Sequence, residues 1–432
     1  MRPALGLDFG TSNTVLTGVD ASGQATTLTF GKGAEEVDSL PSVLCFLEPG
    51  RTEQADARAD VGPWAIRQFL DHTGECRFLQ SLKTFVASRL FRGTGIFGRQ
   101  FDFEALMEVF LRRAGSHRDA PLDAGGARLV IGRPVTFAGG APDEALAMQR
   151  YRNALSRFGF SDVMFVYEPV AAAFAFAQRL EGSATVLVAD FGGGTTDFSL
   201  MRFSRDGGRL QAEPLGHGGL GIAGNTLDYR IVDKVILPHL GKGSQYRSMG
   251  KTLEVPPNLF SNFAHWHLLS VFKASADYRD LKKMLPYCID EDKIELFIEL
   301  VETDQGYPLY KAVSEAKARL SFAEETEIRF APIGKDFVAT VTRADFETWI
   351  EHDLQRIDEA LTRTLDQAGL QAGEVDQVFL TGGTSFVPAI RQLFARRFGP
   401  ERLSGGEELS SVAKGLALIG AREDARSWTV AE

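Results

Sequence analysis

Short blocks of apolar and β-branched residues punctuate the start of the chain. Ala4 to Leu7, Thr14 to Val19 and further blocks as far as Phe46 each end in a turn, which predicts strands. Between Gly50 and Asp60 the sequence becomes Arg- and Asp-rich and reads as an exposed excursion, with structure resuming near Pro63. From Phe101 to Ala114 the apolar spacing is helical, and Arg128 to Ile131 predicts a buried strand followed by Gly132-Arg133-Pro134. Asp143 to Phe158 predicts an amphipathic helix and Val163 to Tyr167 a strand. Glu168-Pro169 then opens a helix whose Ala171-Ala172-Ala173 run suits close packing against a neighbour.

Strand character returns at Thr185 to Ala189 and Phe198 to Phe203. Beyond Asn225 a stretch rich in aromatics and charges, broken by Pro256-Pro257, reads as a helical excursion to about Val313. Glu327 to Phe330 and Phe337 to Val341 are β-like, and Arg343 to Ala368 predicts one long amphipathic helix with Asp345 and Glu347 in its first turn. Val375 to Leu380 predicts a buried strand. Thr381-Gly382-Gly383-Thr384-Ser385 is a Gly/hydroxyl turn leading through Pro388 into a helix, and a last helix is expected around Ser411 to Ala421. Strands with intervening helices indicate an α/β architecture.

Two turns in this pattern look like copies of one device. Leu7-Asp8-Phe9-Gly10-Thr11-Ser12-Asn13-Thr14 and Ala189-Asp190-Phe191-Gly192-Gly193-Gly194-Thr195-Thr196-Asp197 each read as strand, tight turn, strand, with a carboxylate at the strand's end. Glycines let successive N–H groups converge on an anion, and the hydroxyls add donors. An Asp beside such a turn repels a bare phosphate but suits hydrated Mg²⁺ bridging phosphate oxygens. Each motif alone is also an ordinary hairpin. Their duplication points instead to two related lobes clamping one Mg-nucleotide.

At 432 residues the chain exceeds what one hydrophobic core supports. Hydrophobic residues make up 44% and charged residues 24%, as in a globular protein, and the longest apolar run, Val170 to Ala177, is too short to span a membrane. Asp8 interrupts the early apolar run, so no secretory signal is read and a cytoplasmic location is expected. Cys45, Cys76 and Cys288 show no C-x-x-C spacing, which predicts scattered reduced thiols rather than disulfides or structural zinc. A net charge of −10 and a pI near 5.4 argue against non-specific nucleic-acid binding.

Three other matches fail on context. His117-Arg118-Asp119 with Asp190-Phe191-Gly192 imitates a protein-kinase pair, but Ala124 stands where the catalytic-loop Asn belongs; His117 reads as a surface residue. Gly216-His217-Gly218-Gly219-Leu220-Gly221 fits a dinucleotide pattern but opens no first strand–helix unit, and reads as a plain loop. His265-Trp266-His267 lacks an acidic or thiol partner at metal-ligand spacing.

With the two Asp-Gly-Thr turns, Glu168-Pro169-Val170-Ala171-Ala172-Ala173 and Leu380-Thr381-Gly382-Gly383-Thr384 in this order, the chain resembles the ATPase domain of DnaK-type, heat shock protein 70 chaperones, part of the actin-like ATPase superfamily. Leu40-Pro41-Ser42-Val43, Ser81-Leu82-Lys83 and Thr342-Arg343-Ala344-Asp345-Phe346-Glu347 support the likeness, which covers nearly the whole chain. It looks closest to the short, YegD-type members that carry the ATPase part without the peptide-binding domain.

The resemblance implies an α/β, actin-like fold of two ribonuclease-H-like lobes around a nucleotide cleft. Lobe I would span 1–182 and lobe II 183–383 with an enlarged excursion at about 226–313, while 384–432 would return to lobe I. It further implies that Asp8 and Asp190 hold Mg²⁺ through its waters and that Asp197 orders a nearby cation, magnesium or potassium. Gly10, Thr11, Ser12 and Asn13 would contact the β- and γ-phosphates of ATP or ADP, with Gly192, Gly193, Gly194 and Thr195 cradling the γ-phosphate. Lys83 would stand beside that phosphate and Glu168 would help position the attacking water or the metal shell. Gly224, Gly382 and Gly383 would face the phosphates and ribose, Lys317 and Ser321 the nucleoside, and Pro134 would match the family's switch proline.

Some positions depart from the family pattern. Ser314 and Ala318 replace the Glu and Arg flanking Lys317, and Phe386 replaces an Arg after the third turn, leaving an aromatic to stack on the base. The excursion between Asn225 and Lys317 is longer than the family's, where exchange factors usually dock. The expectation is a monomeric, Mg-dependent, slowly hydrolysing ATPase of chaperone-like type whose protein partner the sequence leaves open. A sugar-kinase-type phosphotransferase, an actin-like filament protein and a nucleotide-sensing scaffold remain as alternatives.

Overall fold

Two sheets of one design, each built on a five-strand path, organise the molecule; the first gains a sixth short strand. In chain order their strands are β1 (Ala4–Phe9), β2 (Asn13–Val19), β3 (Ala25–Thr27), β4 (Arg128–Arg133) and β5 (Val163–Tyr167), then β6 (Ala184–Phe191), β7 (Thr196–Asp206), β8 (Arg209–Leu220), β9 (Gln377–Thr381) and β10 (Leu403–Ser404). The first sheet runs β3-β2-β1-β4-β5, with the short strand Leu40–Pro41 also joined to β2; the second runs β8-β7-β6-β9-β10. Each has an antiparallel three-strand meander, and its first strand also pairs in parallel with a later one. The chain is described in a computed structural model at all residues except 1, 51–52, 55, 73–74, 120–121, 123–126, 139–140, 179, 181, 207–208, 265–267, 274, 335–336, 406–409 and 431–432.

The central strands explain the apolar runs. β6 lies between β7 and β9 and buries Thr185 to Ala189 on both faces, which an alternating sequence would not tolerate. Val130 and Val166 of the first sheet, Val188 and Phe203 of the second, and Ala172 and Leu416 of two helices share one buried cluster. Those helices, Glu168–Ala177 and Ser411–Gly420, pack so closely that a Cβ on Gly415 would lie 1.8 Å from the carbonyl oxygen of Ala171. The other face of the first sheet is covered by the helices Phe103–Ser116 and Glu144–Phe158. Asp102 and Asp143 cap their N-termini by accepting from Ala105 N–H at 2.7 Å and Leu146 N–H at 3.0 Å.

By contact the chain divides into two units. The first comprises Met1–Ala223, Arg356–Ser385 and Ile390–Glu432, and holds both sheets; the second comprises Gly224–Gln355 with Phe386–Ala389. The second unit has an aromatic core in which the Phe297 ring lies 5.3 Å from Phe260 and 5.1 Å from Phe263, centroid to centroid. Its buried Asp353 accepts a two-pronged pair from Arg230 at 2.7 and 2.9 Å.

Several expectations need correction. Arg343 to Ala368 is two helices, Arg343–Trp349 and Glu351–Gln367, because buried Ile350 leaves helical dihedrals at φ −97°, ψ 2°. The excursion after Asn225 is not wholly helical: Gln245–Ser248 and Lys251–Glu254 form a hairpin. The stretch Gly50 to Asp60 is not exposed throughout, since Asp56 is buried and pairs with Arg112 at 2.5 Å, and Ala59 opens the strand Ala59–Val61. Gly216 to Leu220 is strand rather than loop, paired with β7, because ladder hydrogen bonds override glycine's weak β preference. His117, read as a surface residue, is half-buried: its ring stacks on Trp64 at 3.5 Å and its Nε2 lies 2.6 Å from Asp60 Oδ1. Cys45 and Cys76, apart in sequence, hydrogen-bond through their side chains across neighbouring strands, so the thiols are not all scattered. His265-Trp266-His267 lies outside the described residues. Among the described residues no helix is long and apolar enough to cross a membrane.

Candidate functional site

The two sheets present their turns in one register. Asp8 pairs across from Val15 and Phe9 from Thr14; Asp190 pairs across from Asp197 and Phe191 from Thr196. Gly10 N–H donates to the carbonyl of Asn13 at 2.9 Å, and Gly192 N–H donates to that of Thr195 at 3.0 Å. The repeat read from the sequence is therefore a repeat in backbone geometry. Both turns are anchored by a buried threonine: Thr14 Oγ1 lies 2.8 Å from Ser42 Oγ, and Thr196 Oγ1 donates to the carbonyl of Ile222 at 2.6 Å. The turns also meet, since a Cβ on Gly194 would lie 3.3 Å from Thr11 Oγ1. The symmetry breaks at one point, where Asp197 occupies the position of Val15 and doubles the acidic charge of the second hairpin.

Lys83 and Glu168 join this centre. The strand Cys76–Gln80 runs into left-handed Ser81 (φ 55°) and a short turn, Leu82–Phe85, that buries Lys83. Glu168 opens its helix, where the dipole favours a carboxylate, and its side chain fills space left by Gly132 of β4, at which a Cβ would meet Glu168 Cγ at 2.8 Å. The Lys83 ammonium donates to Glu168 Oε1 in a buried ion pair.

Four carboxylates thus gather around one ammonium, and the three aspartates respond in their ionisation. Loss of hydration, followed by the charge of Glu168, pushes Asp8 up to about 7, an effect Lys83 partly opposes. The same first cause, then Glu168, Asp8 and Asp197, holds Asp190 well above the usual carboxylate range. Burial and Glu168 push Asp197 up to about 7 against the hydrogen bonds it accepts from Thr195 and from Val135 N–H. Burial alone would lower the pKa of Lys83, but the carboxylates, Glu168 foremost, raise it above its ordinary 10.5. The donor set is all hard oxygen with excess negative charge, which fits a hydrated divalent cation. Among the described residues no three His, Cys, Asp or Glu side chains form a direct metal cage.

Two features escaped the sequence reading: the partners of Asp197, which was itself expected in the site, and the place of Tyr151 beside the charges. Asp197 Oδ1 accepts from Val135 N–H at 2.9 Å and Thr136 N–H at 3.4 Å, tying a β7 carboxylate to the loop after β4. Tyr151 is fully buried against Phe9 and Phe103, with its charge environment set by Lys83 and Glu168 among others. Its apolar spacing on the helix Glu144–Phe158 marked a core residue and carried no sign of the charges beside it.

The third turn borders the second. Gly382 follows β9 against the carbonyl of Phe191, and Gly383 begins the short turn Gly383–Phe386, from which Thr384 Oγ1 donates to the carbonyl of Gly192 at 3.4 Å. In the second unit Gly224 begins the helix Gly224–Ile231 and Lys317 lies in the helix Gly306–Leu320, which Ser321 caps. Lys317 is committed there, its ammonium paired with Asp228 Oδ1 at 2.9 Å and donating to the carbonyl of Gly224 at 3.0 Å. Ser314 also hydrogen-bonds Asp228, whose pKa burial raises against these partners. Phe386 faces exposed Phe322, ring centroids 6.2 Å apart.

The sequence model of the Hsp70 protein family matches residues 148–240 and 280–425, more than half of the chain. The chain belongs to the Hsp70 protein family. It has the family's α/β, actin-like ATPase fold, and the duplicated sheets are the two ribonuclease-H-like halves of that fold. The Hsp70 match pauses across 241–279, the part of the second unit that carries the hairpin Gln245–Ser248/Lys251–Glu254. Over 436 aligned residues the chain is 25% identical to chaperone protein DnaK of Picrophilus torridus, covering 98% of this chain and 58% of that protein. It is 23% identical over 425 residues to DnaK of Methanothermobacter thermautotrophicus, covering 96% and 59%, and 26% identical over 433 residues to DnaK of Thermus thermophilus, covering 97% and 60%. The chain spans about three-fifths of the length of these relatives.

Proposed function

We propose that this Hsp70-family chain binds Mg-ATP at the paired turns and hydrolyses it slowly, in a chaperone-like cycle in which nucleotide state moves lobe 1–182 against lobe 183–383. The observation that carries the reading is the register-matched pair of turns, Thr11 against Gly194, with four carboxylates and Lys83 gathered beneath them. Magnesium would be held through its waters by Asp8 and Asp190, with a further cation near Asp197, and would neutralise phosphate charge.

The chain's own groups have distinct parts in this reading. Amides of Gly10 to Asn13 and Gly192 to Thr195, with the Thr11, Ser12 and Thr195 hydroxyls, orient the triphosphate for in-line attack. Lys83, charged throughout the physiological range, offsets charge gathering on the γ-phosphoryl oxygens. Glu168, fixed by Lys83 and by its helix, orients the attacking water. The nucleoside roles implied for Lys317, Ser321 and Phe386, and the α/β-phosphate and ribose roles of Gly224, Gly382 and Gly383, belong to the same proposal, as does a cytoplasmic location. So does the likeness to the short, YegD-type members, which the intact mass of the protein isolated from its own cells decides.

Phosphate release from Mg-ATP by the purified chain tests the reading. Slow release that Lys83→Ala and Asp190→Asn abolish is the expected result. Binding without release turns the protein into a nucleotide-sensing scaffold; neither release nor thermal stabilisation by Mg-ATP defeats the proposal.

A further inference from the structure

Arg133 ends β4 one residue before Pro134, with only 2% of its surface exposed. A buried guanidinium needs partners for its donors. Its Nε donates to the carbonyl of Pro134 at 3.0 Å, and its Nη2 donates to the carbonyl of Val135 at 3.4 Å and to Glu144 Oε2 at 3.0 Å. The guanidinium carbon also lies 4.9 Å from the ring centroid of Phe137 and 5.0 Å from that of Tyr167. Tyr167 in turn packs on His217 of β8 at 5.0 Å. A fork of donors on a flat cation that rings can cover is a property of arginine and not of lysine.

The backbone gripped in this way is the backbone that holds Asp197. Arg133 takes the carbonyls of residues 134 and 135, while Asp197 takes the amides of Val135 and Thr136. The ring it braces, Tyr167, immediately precedes Glu168. Glu144 is 55% exposed, so that ion pair adds little, and the carbonyl fork and the stacking carry the hold.

We propose that Arg133 is a positioning residue: it sets the Pro134–Thr136 backbone against Asp197 and steadies the start of the Glu168 helix, keeping carboxylates from the two sheets in register. Its effect on turnover rests on the Mg-ATP reading of the site; its effect on the backbone does not. Hydrogen exchange at individual amides and steady-state Mg-ATP kinetics are measured on the full chain as wild type, Arg133→Met, Arg133→Lys and Asp197→Asn.

Both Arg133 variants are expected to speed exchange at Val135 and Thr136 about tenfold or more while the helix Phe103–Ser116 keeps its wild-type rates. They are expected to lower kcat about tenfold with KM for ATP within about twofold, and lysine does not rescue. Unchanged exchange at Val135 and Thr136 in Arg133→Met, or full rescue by lysine, overturns the proposal. Faster exchange spread evenly over the first unit also overturns it, making Arg133 an ordinary structural residue. If exchange responds as expected but neither the wild type nor any variant turns over or binds Mg-ATP, the Mg-ATP reading fails and the positioning role stands.

Discussion

Replacing Lys83 by Met keeps the aliphatic volume of the side chain and deletes the ammonium that Glu168 faces in the buried pair. Breaking a buried pair from one side costs about 3–5 kcal/mol, because the remaining charge is uncompensated, whereas an exposed pair is worth about 1 kcal/mol or less. The wild-type contribution of Lys83 is constant over the useful range: its pKa is raised above 10.5, so its stabilisation is fully present below that value and fades only as pH rises through the higher folded value. The pH dependence of the deficit comes instead from Asp8 and Asp197, both pushed up to about 7. Below that pH they take up protons, and the negative charge left around Glu168 shrinks. Urea unfolding without nucleotide or divalent ions, at pH 8 and pH 6, is expected to give a deficit of about 3–5 kcal/mol at the higher pH and clearly less at the lower. Adding Glu168→Gln to the variant recovers much of the loss at pH 8. A deficit below about 1 kcal/mol at both pH values refutes the buried-pair argument.

Other outcomes follow from the same geometry. Asp197 holds its proton up to about 7 when folded and to near 3.8 when unfolded, so the folded state binds more protons in between and loses stability as pH climbs through that window. In calorimetric scans in a chelating buffer the wild type should therefore fall relative to Asp197→Asn between pH 5 and pH 8, and parallel curves contradict this. Asp190→Asn is expected to unfold at a higher temperature than wild type at pH 8 while losing phosphate release, because it removes a carboxyl group whose charged form burial and the neighbouring carboxylates disfavour; a lower Tm contradicts the electrostatic account. Gly415→Ala drives a methyl group into the carbonyl of Ala171 and should cost about 3 kcal/mol, at the upper end for overpacking, or about 3–5 °C in Tm; a shift under about 1 °C would show that the two helices separate easily.

Much of the fold could be read from the chain because its signals are local. Val186 to Ala189 is apolar at every position because it lies in the central strand of a sheet covered on both faces, and the two turns stand out because each opens on the same Asp-Phe-Gly step at the end of such a strand. What could not be read is set by contacts between distant residues. Lys83 and Glu168 are 85 positions apart, and nothing near either marks the other as its partner. Arg133 and Tyr151 sit in ordinary strand and helix patterns, and their importance comes from the carbonyls, rings and charges brought to them by other elements. Gly216 to Leu220 looked like a loop because glycine disfavours strands, yet pairing with β7 settles its conformation. The stack of His117 on Trp64 and the contact between Cys45 and Cys76 are likewise products of tertiary structure.

The duplicated hairpins also show where equivalence ends. Val15 and Asp197 occupy matching positions, so one half supplies an apolar residue and the other a buried carboxylate linked to the loop after β4. An exchange of these two side chains preserves composition but moves the charge to the hairpin that lacks the Val135 amide as partner. The asymmetry therefore assigns the second hairpin the heavier electrostatic load.

Calorimetric titration of ATP into the chain, with and without Mg²⁺, tests the central claim most directly. The paired-turn site predicts one ATP per chain with affinity that rises when Mg²⁺ is present, and loss of that dependence in Asp8→Asn. The absence of ATP binding, or identical binding with and without the metal in both proteins, contradicts it.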